Sequence, residues 1–130
     1  MGWGKTGEEG SALWTEETWS EGRSSSRRVL FDLSESLPRG RTAEIIGRQL
    51  LRSGTSVGAN YRSSGRAKSK AHFISKLGDV EEELDETMFW MELLAESGTV
   101  PTEGIMEPMK EAAELLSIVV ASIRRAKGNR

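Results

Sequence analysis

The sequence predicts an all-α protein: an up-down four-helix bundle that follows a poorly ordered N-terminal tail. Two segments place apolar residues at alternating spacings of four and three, the periodicity of helices that bury one stripe. The composition agrees, because 29% of the 130 residues are charged, 6% are aromatic and none is cysteine. Without cysteine, neither disulfides nor thiolate metal sites form. At about 100–200 residues per domain, this length predicts a single domain.

Residues 1–26 form the predicted tail, and residues 27–130 the predicted bundle. The tail has five glycines in its first 22 residues and no sustained periodicity, which is typical of a mobile extension. Its tryptophans, Trp3, Trp14 and Trp19, are unusual for such a segment, and docking elsewhere is the alternative. Neither an export signal nor an apolar run of about 20 residues occurs. We therefore expect a cytoplasmic protein that makes no membrane contact.

The first two predicted helices run from about Arg27 to Leu37 and from about Thr42 to Arg66. Leucines spaced by three and four mark the first, and Pro38 ends it. Serines stand where its early apolar residues are expected, so either this helix is short or the natural start lies downstream. Thr42 is the predicted N-cap of the second helix. Three glycines inside that helix indicate close helix approach or a local irregularity: Gly47, Gly54 and Gly58.

The third and fourth helices carry the clearest patterns. The predicted seam of the third is Phe73, Leu77, Val80, Leu84, Thr87, Met91 and Leu94, and Gly98 follows as its C′ residue. The fourth runs from about Thr102 to Lys127, with Pro108 near its start. Its predicted seam is Ile105, Met109, Ala112, Leu116, Val119, Ile123 and Ala126. Further apolar residues flank both seams, which indicates either burial against other subunits or a wide core face.

The formal net charge of −2 hides a strong asymmetry, because residues 23–70 hold eleven bases and only three acids. Five arginines of the second helix fall within about 80° of arc on a helical wheel, opposite its apolar residues. We call this set the arginine row: Arg41, Arg48, Arg52, Arg62 and Arg66. Lys68 and Lys70 extend it into the following connection. The overall acidity therefore does not exclude a nucleic-acid partner.

Two interpretations of the arginine row stay open. Guanidinium groups on one face bind rows of phosphates through charge and paired hydrogen bonds. Alternatively, the row pairs with the acidic face of the third helix or lies solvated. The carboxylates of that face are Asp79, Glu81, Glu82, Glu83, Asp85 and Glu86.

No catalytic or metal-binding set emerges from the sequence. The single histidine, His72, has neither a nucleophile elbow nor a second histidine to work with. Gly4-Lys5-Thr6 lacks the earlier glycine of a phosphate-binding loop. Acidic residues around Glu83 fit a solvated helix face better than a cation site. We expect no cofactor, no metal and no enzymatic activity.

The stretch from Arg41 to Gly98 resembles the bacterial four helix bundle proteins, also called the 23S rRNA intervening-sequence proteins. The resemblance is carried by Gln49 to Ser53, by Ser56 to Asn60, by Phe73, and by Glu81 to Leu84. With the fourth helix it covers about three quarters of the chain. Its structural motif residues here are Ser56, Ala59, Asn60 and Phe73. Many members continue the Ala-Asn pair with an apolar residue, Ala, Glu and Gly, whereas here Tyr61, Arg62, Ser63 and Ser64 follow.

The resemblance implies an up-down four-helix bundle that assembles into a ring-shaped homopentamer with a basic surface. Related proteins serve as accessory factors of diversity-generating retroelements, where they bind nucleic acid and a reverse transcriptase. For most members no biochemical activity is established. Nucleic-acid binding through the arginine row, Lys68 and Lys70 is therefore our leading hypothesis. A purely protein-binding assembly module is the alternative.

Overall fold

A computed structural model describes residues 30–128 of the chain. The part of the first helix that it describes, α1, covers residues 30–35. The three long helices are α2 (Arg41–Ser64), α3 (Lys70–Glu96) and α4 (Glu103–Ala126). The predicted fold class, all-α with four helices packed together, is confirmed. The predicted tail and the predicted start of the first helix lie outside the described residues.

Helix α1 packs antiparallel on α2, and two glycines of α2 allow the close approach. A Cβ atom added at Gly47 would lie 2.8 Å from Leu37 Cδ1, and one added at Gly54 would lie still closer to Leu30 Cδ1. Because the earlier leucine faces the later glycine, the chain runs in opposite directions through the two elements. Helix α2 continues without interruption past both glycines, so they serve close packing rather than an irregularity.

The start of α2 differs from the predicted one. Gly40, with φ of 143°, is the N-cap residue and supplies no side-chain hydrogen bond. Thr42 lies inside the first turn, so its prediction as N-cap was wrong. A β-carbon is strained at this φ, which explains why glycine rather than a hydroxyl residue takes the cap position.

Helix α3 is the centre of the bundle, because it packs against both α2 and α4. All seven residues of its predicted seam, Phe73 to Leu94, are buried. Ser69 caps its start by accepting a hydrogen bond from the His72 backbone N–H at 3.0 Å. After the C-cap Ser97, Gly98 takes a φ of 74°, as expected for the C′ residue of a helix. Five residues join α2 to α3 and six join α3 to α4, and such short connections make consecutive helices antiparallel.

The buried face of α4 is rotated from the predicted one. Its buried residues are Ile105, Pro108, Ala112, Leu115, Val119 and Ser122. Met109, Leu116, Ile123 and Ala126, which the predicted seam included, are only half-buried at the edge of the core. Both sets repeat at spacings of three and four, and the packing against α3 selects the first. Pro108 lies inside the helix on the buried side.

One polar contact crosses the core between α2 and α3. The hydroxyls of Ser53 and Thr87 lie 2.8 Å apart and are both buried. Thr87 Oγ1 also lies 2.7 Å from the Glu83 carbonyl oxygen, and Ser53 Oγ lies 3.3 Å from that of Leu50. Burying a hydroxyl is tolerated when it is hydrogen-bonded. The pair therefore favours one register of α2 against α3.

The flanking apolar residues divide into two groups. Leu115 belongs to the core, and Met88, Trp90 and Ile118 pack partly against it. Phe89 and Met106 are large and exposed, at 52% and 63%. Some of the additional apolar surface thus widens the core, while a remainder on α3 and α4 faces outward.

Substitution of two adjacent leucines tests which face of α4 is buried. Leu115→Ala removes a side chain that is 3% exposed, and we expect a loss of about 2–5 kcal/mol in the free energy of unfolding. Leu116→Ala removes a half-buried side chain and should cost clearly less. Urea unfolding of both variants measures the difference. A larger loss for Leu116→Ala would contradict the observed register.

Candidate nucleic-acid interface

Four arginines of the row lie on the outer face of α2, whereas Arg66 follows the C-cap Gly65 in the turn after the helix, which ends at Ser64 and not at Arg66 as predicted. All five arginines are exposed, whereas Leu50, Val57 and Tyr61, on the opposite side of the helix, are buried. Burial raises the pKa of the Tyr61 phenol well above its ordinary value, so this side chain stays neutral inside the bundle. The structure therefore places the row where a large charged ligand has access.

Arg52 differs from its neighbours because it reaches across to α3. Its guanidinium contacts the Glu86 carboxylate, and its Nη1 lies 3.7 Å from Glu83 Oε1. Arg52 Nε also donates to Gln49 Oε1 at 3.0 Å. The prediction that the row pairs with the acidic face of α3 thus describes this one arginine, and the contact ties α2 to α3 at the surface.

Glu86 holds this contact together. The Trp90 indole N–H donates to Glu86 Oε2 at 3.2 Å, and the same oxygen meets Arg52. The hydrogen bonds from Trp90 and Arg52 lower the pKa of Glu86 below its ordinary value. Both favour the charged carboxylate, so the group stays ionised at neutral pH.

The other arginines of the row have no carboxylate partner on a neighbouring helix within residues 30–128. Arg48 lies 3.5 Å from Glu44 of its own helix, and both side chains are about 70% exposed, at 73% and 70%. Such a solvated pair is weak and breaks easily. For Arg41, Arg62 and Arg66, the described part of the chain offers no ion pair. Within residues 30–128, four guanidinium groups of the row are thus not held by a neighbouring helix.

The connection after α2 orders the lysines that extend the row. Lys68 and Lys70 are exposed on either side of the cap residue Ser69. The Lys68 backbone N–H donates to His72 Nδ1 at 3.2 Å. His72 thus has a local structural role here, and the two lysines lie beyond the end of the row that Arg62 and Arg66 form.

The motif residues have structural roles in the bundle. Asn60 Nδ2 donates to the Ser56 carbonyl oxygen at 3.0 Å, and Phe73 is buried in the core. Ala59 is exposed between the arginines, where its small side chain leaves them room. The motif therefore supports the helix that carries the row.

The described residues bring together no chemistry beyond charge. A hollow of about 330 Å³ between α1 and α2 has mostly apolar walls, with Thr55 and Arg62 as its hydrogen-bonding side chains. Between residues 30 and 128, no three metal-ligating side chains converge, including those around Glu83. Within the same range, no helix is long and apolar enough to span a bilayer.

Sequence reasoning placed Glu83 and Glu86 in the acidic face but did not assign them to Arg52. The contact also includes Gln49 of α2 and Trp90 of α3. Trp90 stands one helical turn after Glu86. The wheel shows which face an arginine takes, but the register between two helices decides which carboxylates it meets. Trp90 four residues after Glu86 was the available signal.

The structure thus defines a class: an antiparallel helical bundle whose outer face carries a row of arginines. A model of the 23S rRNA-intervening sequence protein family matches residues 15–121. This match spans well over half of the chain, and the chain belongs to that family.

Solved structures agree with this assignment. The chain is 28% identical to a protein with unknown function from the S23 ribosomal protein family of Bacteroides thetaiotaomicron VPI-5482, with a TM-score of 0.67. The similarity covers 83% of this chain and 96% of that one. A comparison with curated proteins gives no match. Both the family and the fold inferred from the Ser56 to Asn60 motif are confirmed.

The Glu86 contact predicts a pH-dependent stability. Because its folded pKa is lowered, Glu86 adds stability above its ordinary value of 4.5, and this stability is lost as the pH falls through the folded value. Glu86→Gln should therefore destabilise the protein at pH 7, and the difference from wild type should shrink at pH 3. Urea unfolding at both values measures it.

Trp90→Phe is the matched background for this experiment, because it removes the indole N–H but keeps an aromatic ring. The effect of Glu86→Gln should be smaller in that background. An effect of equal size at pH 7 and pH 3 would show that the contact does not depend on the ionised carboxylate.

Proposed function

We propose that this protein is a non-enzymatic, homo-oligomeric member of the family that binds RNA or DNA through the phosphates. The observation that carries the proposal is the contrast within the arginine row. Arg52 is held by α3, whereas Arg41, Arg48, Arg62 and Arg66 face outward without a carboxylate from another helix in the described part.

The chemistry of the row suits phosphate. Guanidinium groups are always charged and present paired donors that match phosphate oxygens. The small residues between them, Thr55 and Ala59, are exposed and let a backbone approach the helix. Such contacts position a nucleic acid without reading its bases, so we expect little sequence preference.

Self-association would multiply the row. The exposed Met106 of α4 and the exposed Phe89 of α3 are apolar surface that a neighbouring copy would cover. We therefore include in the proposal the homo-oligomer, a pentamer by family resemblance. Several linked copies bind one nucleic acid far more tightly than a single copy does.

Charge reversal on the row tests the proposal. Arg48→Glu together with Arg66→Glu should abolish retention of a 30-nucleotide RNA in filter binding. For wild type, each phosphate contact makes the slope of log K against log salt steeper by about 0.7 on a single strand, so retention should fall steeply as the salt is raised. Circular dichroism confirms that the exposed positions have been changed without unfolding.

Two controls separate the row from general charge. Lys110→Glu with Arg124→Glu makes the same change in net charge on exposed positions of α4 and should leave retention nearly unchanged. Arg52→Gln alters the arginine that α3 already holds and should change retention little. If the α4 variant loses RNA as the row variant does, or if wild type retains none, the proposal is wrong.

A protein-binding assembly module is the second candidate, and the pairing of Arg52 with α3 favours it. In that case Arg48→Glu with Arg66→Glu would change the mass of the oligomer in light scattering. Retention of RNA would then be absent from wild type and variant alike.

A further inference from the structure

The outer face of α3 carries an exposed aromatic ring among exposed carboxylates. Phe89 is 52% exposed, and its ring meets Trp90 edge to face with 4.9 Å between centroids. We call the exposed residues within about 80° of arc around this ring the acidic–aromatic face. They are Glu82, Asp85, Phe89, Glu92 and Glu96.

This face lies roughly opposite the buried seam of α3, so no element of its own bundle that the structure describes covers it. An exposed ring flanked by carboxylates suits a guanidinium, which stacks on the ring and pairs with the acids. A second copy of this chain can supply such guanidinium groups, because the arginine row is the most basic surface that the structure describes.

We propose that the first half of the arginine row, Arg41 and Arg48, docks on the acidic–aromatic face of a neighbouring copy. The occupant is thus a second copy of this chain, and the argument for it is complementary charge together with matching height along the bundle. Arg62 and Arg66 are left for nucleic acid, an assignment that rests on the proposed function above.

The height of a residue is its position along the bundle axis, and we measure it from the contact of Arg52 with Glu86. Because α2 and α3 are antiparallel, residues before Arg52 lie level with residues after Glu86. At about 1.5 Å per residue, Arg41 and Glu96 both lie about 15–17 Å from that contact in the same direction.

Arg48 lies about 6 Å from the same contact, between the levels of Phe89 and Glu92 at about 4 Å and 9 Å. Copies related by a rotation axis parallel to the helices keep these heights. One copy's Arg41 then meets Glu96 of the next, and its Arg48 meets the ring of Phe89 and the carboxylate of Glu92. The matching of heights holds for any ring size.

The other half of the row has no such match. Arg62 lies level with Ser75 and Lys76, where the acidic–aromatic face carries no carboxylate before Glu82. Asp79 and Glu81 precede it, but they lie on the two flanks of α3 rather than on this face. The connection that follows adds Lys68 and Lys70 to Arg62 and Arg66. A ring of this kind therefore gathers these cations from every copy at one end, where phosphates have access.

Charge exchange tests the contact between copies. Arg41→Glu with Arg48→Glu should weaken self-association at least about tenfold in a sedimentation concentration series. Adding Glu92→Lys and Glu96→Lys to the same chain should restore association to within about threefold of wild type. Phe89→Ala should weaken association as well, because it removes the ring on which the guanidinium stacks.

Arg62→Glu with Arg66→Glu is the matched control at the other end of the arginine row. It should leave the mass unchanged and abolish retention of the 30-nucleotide RNA. A monomeric wild type, an unchanged mass after reversal of Arg41 and Arg48, or a failure of the exchange to restore it would overturn the contact.

The two proposals fail separately. If the exchange restores the mass but wild type retains no RNA, the contact between copies stands and nucleic-acid binding falls. If reversal of Arg41 and Arg48 abolishes RNA retention while the mass stays constant, the whole row binds phosphate and the contact between copies is wrong.

Discussion

The buried seam of α3 is the constraint on which the rest of the molecule depends. Its seven residues lie between α2 and α4, so one helix supplies core to both neighbours. Burial of large side chains such as Phe73, Leu84 and Met91 provides most of the driving force for packing. Because this seam faces inward over the whole helix, the opposite face of α3 must carry the charges.

The register of α2 against that seam then arranges the surface. Inside, the Ser53 and Thr87 hydroxyls meet at 2.8 Å, and a shift of one turn would leave both among apolar side chains. At the surface, the same register brings Arg52 to Glu86. The same register thus sets both contacts, and the four other arginines of the row stay exposed without an ion pair to α3 in the described residues.

The sequence predicted the buried face of a helix correctly where the apolar pattern fitted only one face. In the middle of α3 the seam residues Leu77, Val80 and Leu84 have only charged residues or glycine beside them, so the face was unambiguous there. In α4 leucines stand side by side at 115 and 116 and a valine pair follows, so two faces satisfied the same periodicity. Packing against α3 selects between them, and that choice depends on neighbours rather than on the helix itself.

In the candidate site, too, the sequence predicted the exposed face of one helix but not the contacts between two helices. The exposed face of α2 followed from its wheel, because the four arginines within the helix and the buried Leu50, Val57 and Tyr61 occupy opposite arcs. The special position of Arg52 did not follow, since it depends on contacts between residues 34 positions apart. Likewise, Gly40 rather than Thr42 caps α2 because the turn from α1 needs a positive φ.

Net charge is a poor guide to partners in a molecule built this way. Acidic residues of α3 and basic residues of α2 occupy adjacent outer faces, so their charges cancel in the sum and not in space. Over a Debye length of about 8 Å at physiological salt, a bound anion senses only the nearer face. Beside Arg62 and Arg66 that face is basic, and around Phe89 it is acidic. One bundle therefore carries surfaces of opposite charge, which is the property that the proposed binding and the proposed assembly both require.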